Sequence, residues 1–160
     1  MITVRFGEAD AVTGDGQKVK VPAKLALVQR GPVIPVVISP DPAFAAALQA
    51  VNKPIPQPVT GFALVDTGAT TTCIDGAIAQ QMGLAPSGTA KLSSASHQAT
   101  DCLTYPVQLH FPAWNVALQS PKAMGVTIAN QGIIVLVGRD LLQNCVFVYN
   151  GADGSFTLAL

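Results

Sequence analysis

The stretch Ala63-Leu64-Val65-Asp66-Thr67-Gly68-Ala69-Thr70-Thr71-Thr72-Cys73-Ile74-Asp75 decides how this chain is read. An apolar run that wants a buried strand ends on an acid, and a hydroxyl, a glycine and an alanine follow at once. Burying Asp66 ionised and alone would be costly. The carboxylate is therefore either a satisfied turn residue or a group the fold holds at a reactive centre.

The surrounding sequence reads mostly as strand. Residues 2–6 alternate, and Gly14-Asp15-Gly16 is a turn before a short run at 18–21. Residues 24–29 and 33–38 read as two β-rich runs separated by Arg30-Gly31-Pro32. Asp41 and Pro42 introduce an alanine-rich segment, which predicts an N-capped helix over 43–50. The proline-rich segment 53–58 is an extended connection. Asp75 predicts a second capped helix over 76–82, stopped by Gly83. Residues 91–109 read as a long hairpin with a polar tip at Ser94, Ala95, Ser96, His97 and Gln98. Weaker strands are expected at 116–118 and 125–128. The run Ile133-Ile134-Val135-Leu136-Val137 ends at Gly138, as expected of a strand buried on both faces. Residues 139–144 fit one or two helical turns, and a closing hairpin runs over 145–149 and 155–160 around Asn150-Gly151-Ala152-Asp153-Gly154.

Composition narrows the function. The 160 residues are 49% apolar and 11% charged with zero net charge, enough for one compact domain. No Lys/Arg cluster points to nucleic acid or an anionic membrane as partner. The first residues lack a basic segment followed by an apolar one, and three cysteines show no CxxC spacing. A cytoplasmic chain with free thiols is expected. His97 and His110 have no ligand spacing, so no metal site is expected. Cys73 has no neighbouring histidine and reads as a buried, inert thiol. Trp114 reads as a packing residue on a loop.

Apolar-Asp66-Thr67-Gly68-Ala69, followed about seventy residues later by Leu136-Val137-Gly138-Arg139-Asp140-Leu141-Leu142, resembles the retropepsin-like aspartic proteases. The resemblance runs over roughly residues 24–160 and implies an all-β, closed acid-protease barrel with short helices. It implies a single domain over 1–160, in which 1–23 form an N-terminal extension and 39–60 an insertion before the catalytic strand. Asp66 would be the catalytic carboxylate, and Thr67 would bond across a dimer beneath the opposite loop. Gly68 and Ala69 would shape that loop, Gly138 would pack behind it, and Arg139 and Asp140 would begin the bracing helix. Residues Ser94, Ala95, Ser96, His97 and Gln98 would form the flap over a bound peptide. No cofactor is implied.

The chain holds only one Asp-Thr-Gly, so a carboxylate pair requires two chains across a two-fold axis. The implied protein is a homodimeric aspartic endopeptidase acting on a peptide or protein substrate. Two departures bear on it. Retroviral members usually carry an acid where this chain has Thr70, leaving Arg139 to find Asp140 or a backbone carbonyl. Their flap tips are also glycine-rich, unlike this one. The alternative is a dimer of the same fold that binds peptides without useful turnover.

Overall fold

The computed structural model describes residues 1–5, 9–12, 14–94 and 97–159. The strands are β1 (Ile2–Arg5), β2 (Ala9–Val12), β3 (Lys18–Val21), β4 (Val33–Pro40), β5 (Val59–Val65), β6 (Cys73–Asp75), β7 (Gly88–Ser94), β8 (His97–Phe111), β9 (Val116–Val126), β10 (Val135–Val137), β11 (Val146–Asn150) and β12 (Ser155–Ala159). The helices are α1 (Ala23–Arg30), α2 (Pro42–Ala50), α3 (Gly76–Gln81) and α4 (Arg139–Leu142). A 3-10 turn spans Ala129–Gln131.

Six strands close on themselves in the order β4-β5-β10-β6-β9-β8, because β8 also pairs with β4. The mostly-β class and the closed barrel expected from sequence are therefore present. Strand period explains the closure: β4 buries Ile34, Val36 and Ile38 while intervening residues face outward. Val107, Leu109 and Phe111 do the same on β8, and Ala63, Val65, Val135 and Val137 complete the inner wall. β7 lies outside this ring and pairs only with β8, forming the long hairpin.

A second, three-stranded sheet has the order β1-β12-β11. Residues 2–5, at the start of the region read as an extension, thus pair with the last strand. Phe156 and Leu158 of β12 are buried and belong to the same core as the barrel. At Gly154 (φ 71°) an added Cβ would lie 2.3 Å from the carbonyl carbon of Ala23, so the β11–β12 turn and the start of α1 meet backbone to backbone.

Two expectations are corrected. Residues 24–29, read as a strand, belong to helix α1. Leu27 is fully buried and Ala26 nearly so, while Leu25 and Val28 are exposed, which is helical and not strand periodicity. Gly31 ends the helix at φ 70°, its N–H donating to the Leu27 carbonyl at 2.9 Å. Residues 116–118 and 125–128, read as separate strands, are largely joined in the single strand Val116–Val126. Pro121 is accommodated because the β8–β9 register shifts between Tyr105 and Val107, opposite that proline.

Both expected caps are in place. The Asp41 carboxylate accepts from the Ala43 N–H at 2.9 Å, and Asp75 accepts from Ala77 and Ile78. Among the described residues no helix is long and apolar enough to cross a membrane.

Candidate functional site

β10 lies between β5 and β6, parallel to the first and antiparallel to the second. Val65 pairs with Val137, so both parallel strands end together and Asp66 emerges beside Gly138. The Asp66 N–H donates to the Val137 carbonyl at 3.0 Å, fixing where the acid leaves the barrel. The chain then turns, with Ala69 N–H donating to the Asp66 carbonyl at 3.2 Å.

The Asp66 side chain is half-buried. Its Oδ1 accepts from the Gly68 N–H at 2.8 Å, and among the described residues no hydrogen bond reaches Oδ2. A Cβ at Gly68 would lie 3.0 Å from Asp66 Oδ1, so the motif glycine keeps space open beside the carboxylate. Thr67 and Gly68 are exposed.

The loop is gripped from behind. Arg139 N–H donates to the Ala69 carbonyl at 2.9 Å and Asp140 N–H to the Thr70 carbonyl at 3.2 Å. The Arg139 guanidinium donates to the carbonyls of Thr67 (2.8 Å) and Gly68 (3.4 Å) and to Thr70 Oγ1 (2.8 Å). The residue in place of the usual acid is thus one of three neutral acceptors, and Asp140 is not Arg139's partner. Asp140 instead accepts from the Thr72 N–H at 2.9 Å and from the Thr72 hydroxyl at 2.7 Å. Thr72 Oγ1 in turn accepts from the Gly138 N–H at 3.1 Å. A Cβ on Gly138 would lie 2.5 Å from the Thr71 carbonyl carbon and 2.7 Å from the Thr72 nitrogen.

Asp66, Thr67, Gly68, Ala69, Gly138, Arg139 and Asp140 therefore converge in one place. Of the expected flap residues, Ser94 ends β7 and His97 and Gln98 begin β8. Ala95 and Ser96 lie outside the described residues, as do the side chains of Ser94, His97 and Gln98. Ser94 and His97 are register partners in the backbone ladder.

Thr72 was absent from the sequence-based site although it ties the two motifs together. Its signal was a hydroxyl entering a run that becomes fully buried, where an unpaired polar group is costly. A cavity of about 540 Å³ was also not expected. Arg30, Val33, Phe62, Leu64, Gln131 and Ile133 line it. Leu64, two residues before Asp66, is the lining residue nearest the acid in sequence, and Asp66 itself does not line the cavity. Its walls come from separate segments, and no local motif could announce it.

Cys73 is buried, and burial, then Asp140, Cys102 and Asp66, push its thiol up to about 11. At neutral pH it stays protonated and a poor nucleophile. Trp114 packs edge-on against Phe111 at a centroid distance of 5.4 Å. Asp75, 2% exposed, is desolvated, which pushes its pKa up, but four backbone N–H groups outweigh this and hold it below its ordinary value. Those donors are Ile128 and Ala129 on one oxygen and Ala77 and Ile78 on the other. No family model, curated protein or solved structure gives a significant match to this chain.

Proposed function

We propose that this chain is a retropepsin-like aspartic endopeptidase, active as a homodimer with one Asp66 from each subunit. The observation that carries the reading is how the loop is held. Arg139, Asp140, Gly138 and Thr72 grip its backbone, and among the described residues only one amide N–H engages the carboxylate. Asp41, a structural cap, also engages a single N–H, so what sets Asp66 apart is that residues about seventy positions away grip the backbone of its loop.

Peptide hydrolysis needs a base for water and an acid for the carbonyl oxygen. Two facing carboxylates sharing one proton supply both, as is established for aspartic-protease dyads. The ionised Asp66 takes a proton from water as its oxygen bonds to the scissile carbon. The protonated Asp66 gives its proton to the carbonyl oxygen. Collapse then breaks the C–N bond, with the nitrogen taking a proton from the first Asp66 and the diol hydroxyl returning its own to the second. The exposed Thr67 is free to bond to the opposite loop, and the cavity beside Leu64 offers an apolar wall for a substrate side chain.

The test is peptide-library cleavage by the wild-type protein and by Asp66→Asn at several pH values, with sedimentation of both. Cleavage by the wild type and none by a folded Asp66→Asn dimer is the expected result. Equal cleavage by the two, contaminants excluded, overturns the assignment. A folded wild-type dimer that binds peptides without cleaving any leaves the binding-module reading standing instead.

A further inference from the structure

A second cavity, of about 340 Å³, shares no lining residue with the first and differs from it in chemistry. Its wall includes Thr71 from the loop, Ser87 to Lys91 leading into and along β7, Thr104 of β8, and Lys122 and Met124 of β9. Two lysines line it and no carboxylate does. The hydroxyls divide into two groups. Ser87 Oγ is spent on the Thr104 carbonyl at 3.3 Å and shares a 3.2 Å bond with Thr104 Oγ1, so these two form a satisfied floor. Among the described residues no hydrogen bond or ion pair engages the side chains of Thr71, Thr89, Lys91 or Lys122. Asp101 stands opposite Lys91 in the β7–β8 register, with no ion pair between them. Lys122 sits at the β8–β9 irregularity, where the register pairs no acid with it.

Resting on the endopeptidase reading, we propose that this cavity selects substrates with an acidic side chain near the cleaved bond, held by Lys122 and Lys91 with the Thr71 and Thr89 hydroxyls. Reach limits the position. Thr71 is five residues from Asp66, and a fully extended chain spans at most about 3.6 Å per residue. The loop turns, so the cavity entrance lies within about five residues of an extended peptide lying over Asp66. The acidic residue therefore falls within about five positions of the scissile bond. In a two-fold dimer the preference applies on both sides. A carboxylate matches donors that are all unspent, whereas an amide of the same shape offers less negative charge to both ammonium groups.

The experiment uses two pools of fluorescent decapeptides with a randomised apolar centre. They differ only in Glu or Gln at one position within about five residues of that centre. Binding is read by anisotropy with Asp66→Asn, which keeps the cavity, and cleavage is read with the wild type. The expected result is a preference of about three- to tenfold for the Glu pool at low salt, shrinking at about 0.5 M salt. Lys122→Glu, an exposed substitution, should abolish the preference or turn it against Glu. Equal binding of the two pools, or an unchanged preference in Lys122→Glu and in Lys91→Gln/Lys122→Gln, overturns the proposal. Cleavage that ignores Glu sinks the cavity assignment and leaves the endopeptidase. Glu-selective binding without wild-type cleavage does the reverse.

Discussion

Replacing Thr72 by valine keeps the shape of the side chain and removes one hydroxyl from the junction of the two motifs. Thr72 is fully buried, and so is the amide of Gly138 that it serves. The bond it donates to the charged Asp140 is worth about 1.5–3 kcal/mol, and stranding the Gly138 N–H costs about 1–3 kcal/mol. Burying an extra methyl returns about 0.8 kcal/mol. Asp140 keeps the N–H groups of Thr72 and Leu141, so it is not orphaned. The net loss should be about 2–5 kcal/mol, or a Tm fall of roughly 4–20 °C for a chain of this size. Thr72→Ser retains both bonds and loses one methyl, about 1 kcal/mol. Urea unfolding at fixed protomer concentration measures the difference as a shift in midpoint at constant slope. If Thr72→Val proves no less stable than Thr72→Ser, the hydroxyl bridge is not what holds the loop.

Four further outcomes are expected. Gly138→Ala should cost about 3 kcal/mol or more, because the added methyl meets the Thr71–Thr72 backbone; φ there is −84°, so the need is for space alone, and a near-neutral urea midpoint would refute it. Asp75, lowered by its four N–H donors, stabilises the fold above the unfolded carboxyl value near 3.9, and that contribution is lost as pH falls through the lower folded value. Asp75→Asn should therefore destabilise at pH 7 and flatten the decline in stability below about pH 4, and urea curves parallel to wild type over pH 2–5 would contradict this. Thr67→Ala, exposed and without an intrachain side-chain bond, should change monomer stability by under about 0.5 kcal/mol while weakening the proposed dimer, as sedimentation would show. Thr70→Asp gives Arg139 a charged partner in an exposed setting, so a gain of at most about 1 kcal/mol should appear at low salt and fade at high salt; destabilisation at low salt would mean the guanidinium is not free to re-pair.

The sequence carried the elements whose signals are local. Asp41-Pro42 and Asp75 announced helix starts through side chains that accept the first amides, and both do so. α1 was not legible because residues 24–29 satisfy two periods at once. Leu25 and Leu27 alternate as in a strand, while Ala26 and Leu27 bury together as on a helix. Tertiary contact decides between them: the Gly154 turn presses on the backbone of Ala23, and Gly31 supplies the left-handed stop. In β9 the runs 116–118 and 125–128 read as two short strands, yet a register shift gives Pro121 its place and leaves the strand continuous to Val126.

The site divides along the same line. Asp66-Thr67-Gly68 and Gly138-Arg139-Asp140 were legible as motifs, because each packs its meaning into three adjacent residues. What joins them was not. The sequence left Arg139 short of a carboxylate, whereas the fold brings it two carbonyls and the Thr70 hydroxyl from across a strand pair. Guanidinium geometry allows this: its forked donors can be spread over several neutral acceptors, which a lysine's point charge would hold less well. The exchange has a consequence for charge. With Thr70 neutral and Asp140 engaged with Thr72, Asp66 is the one carboxylate the loop presents outward. One such group can serve as base or as acid at a given moment, not as both. On the proposed endopeptidase reading, the second carboxylate would come from outside the chain, and a two-fold copy of Asp66 is the simplest source.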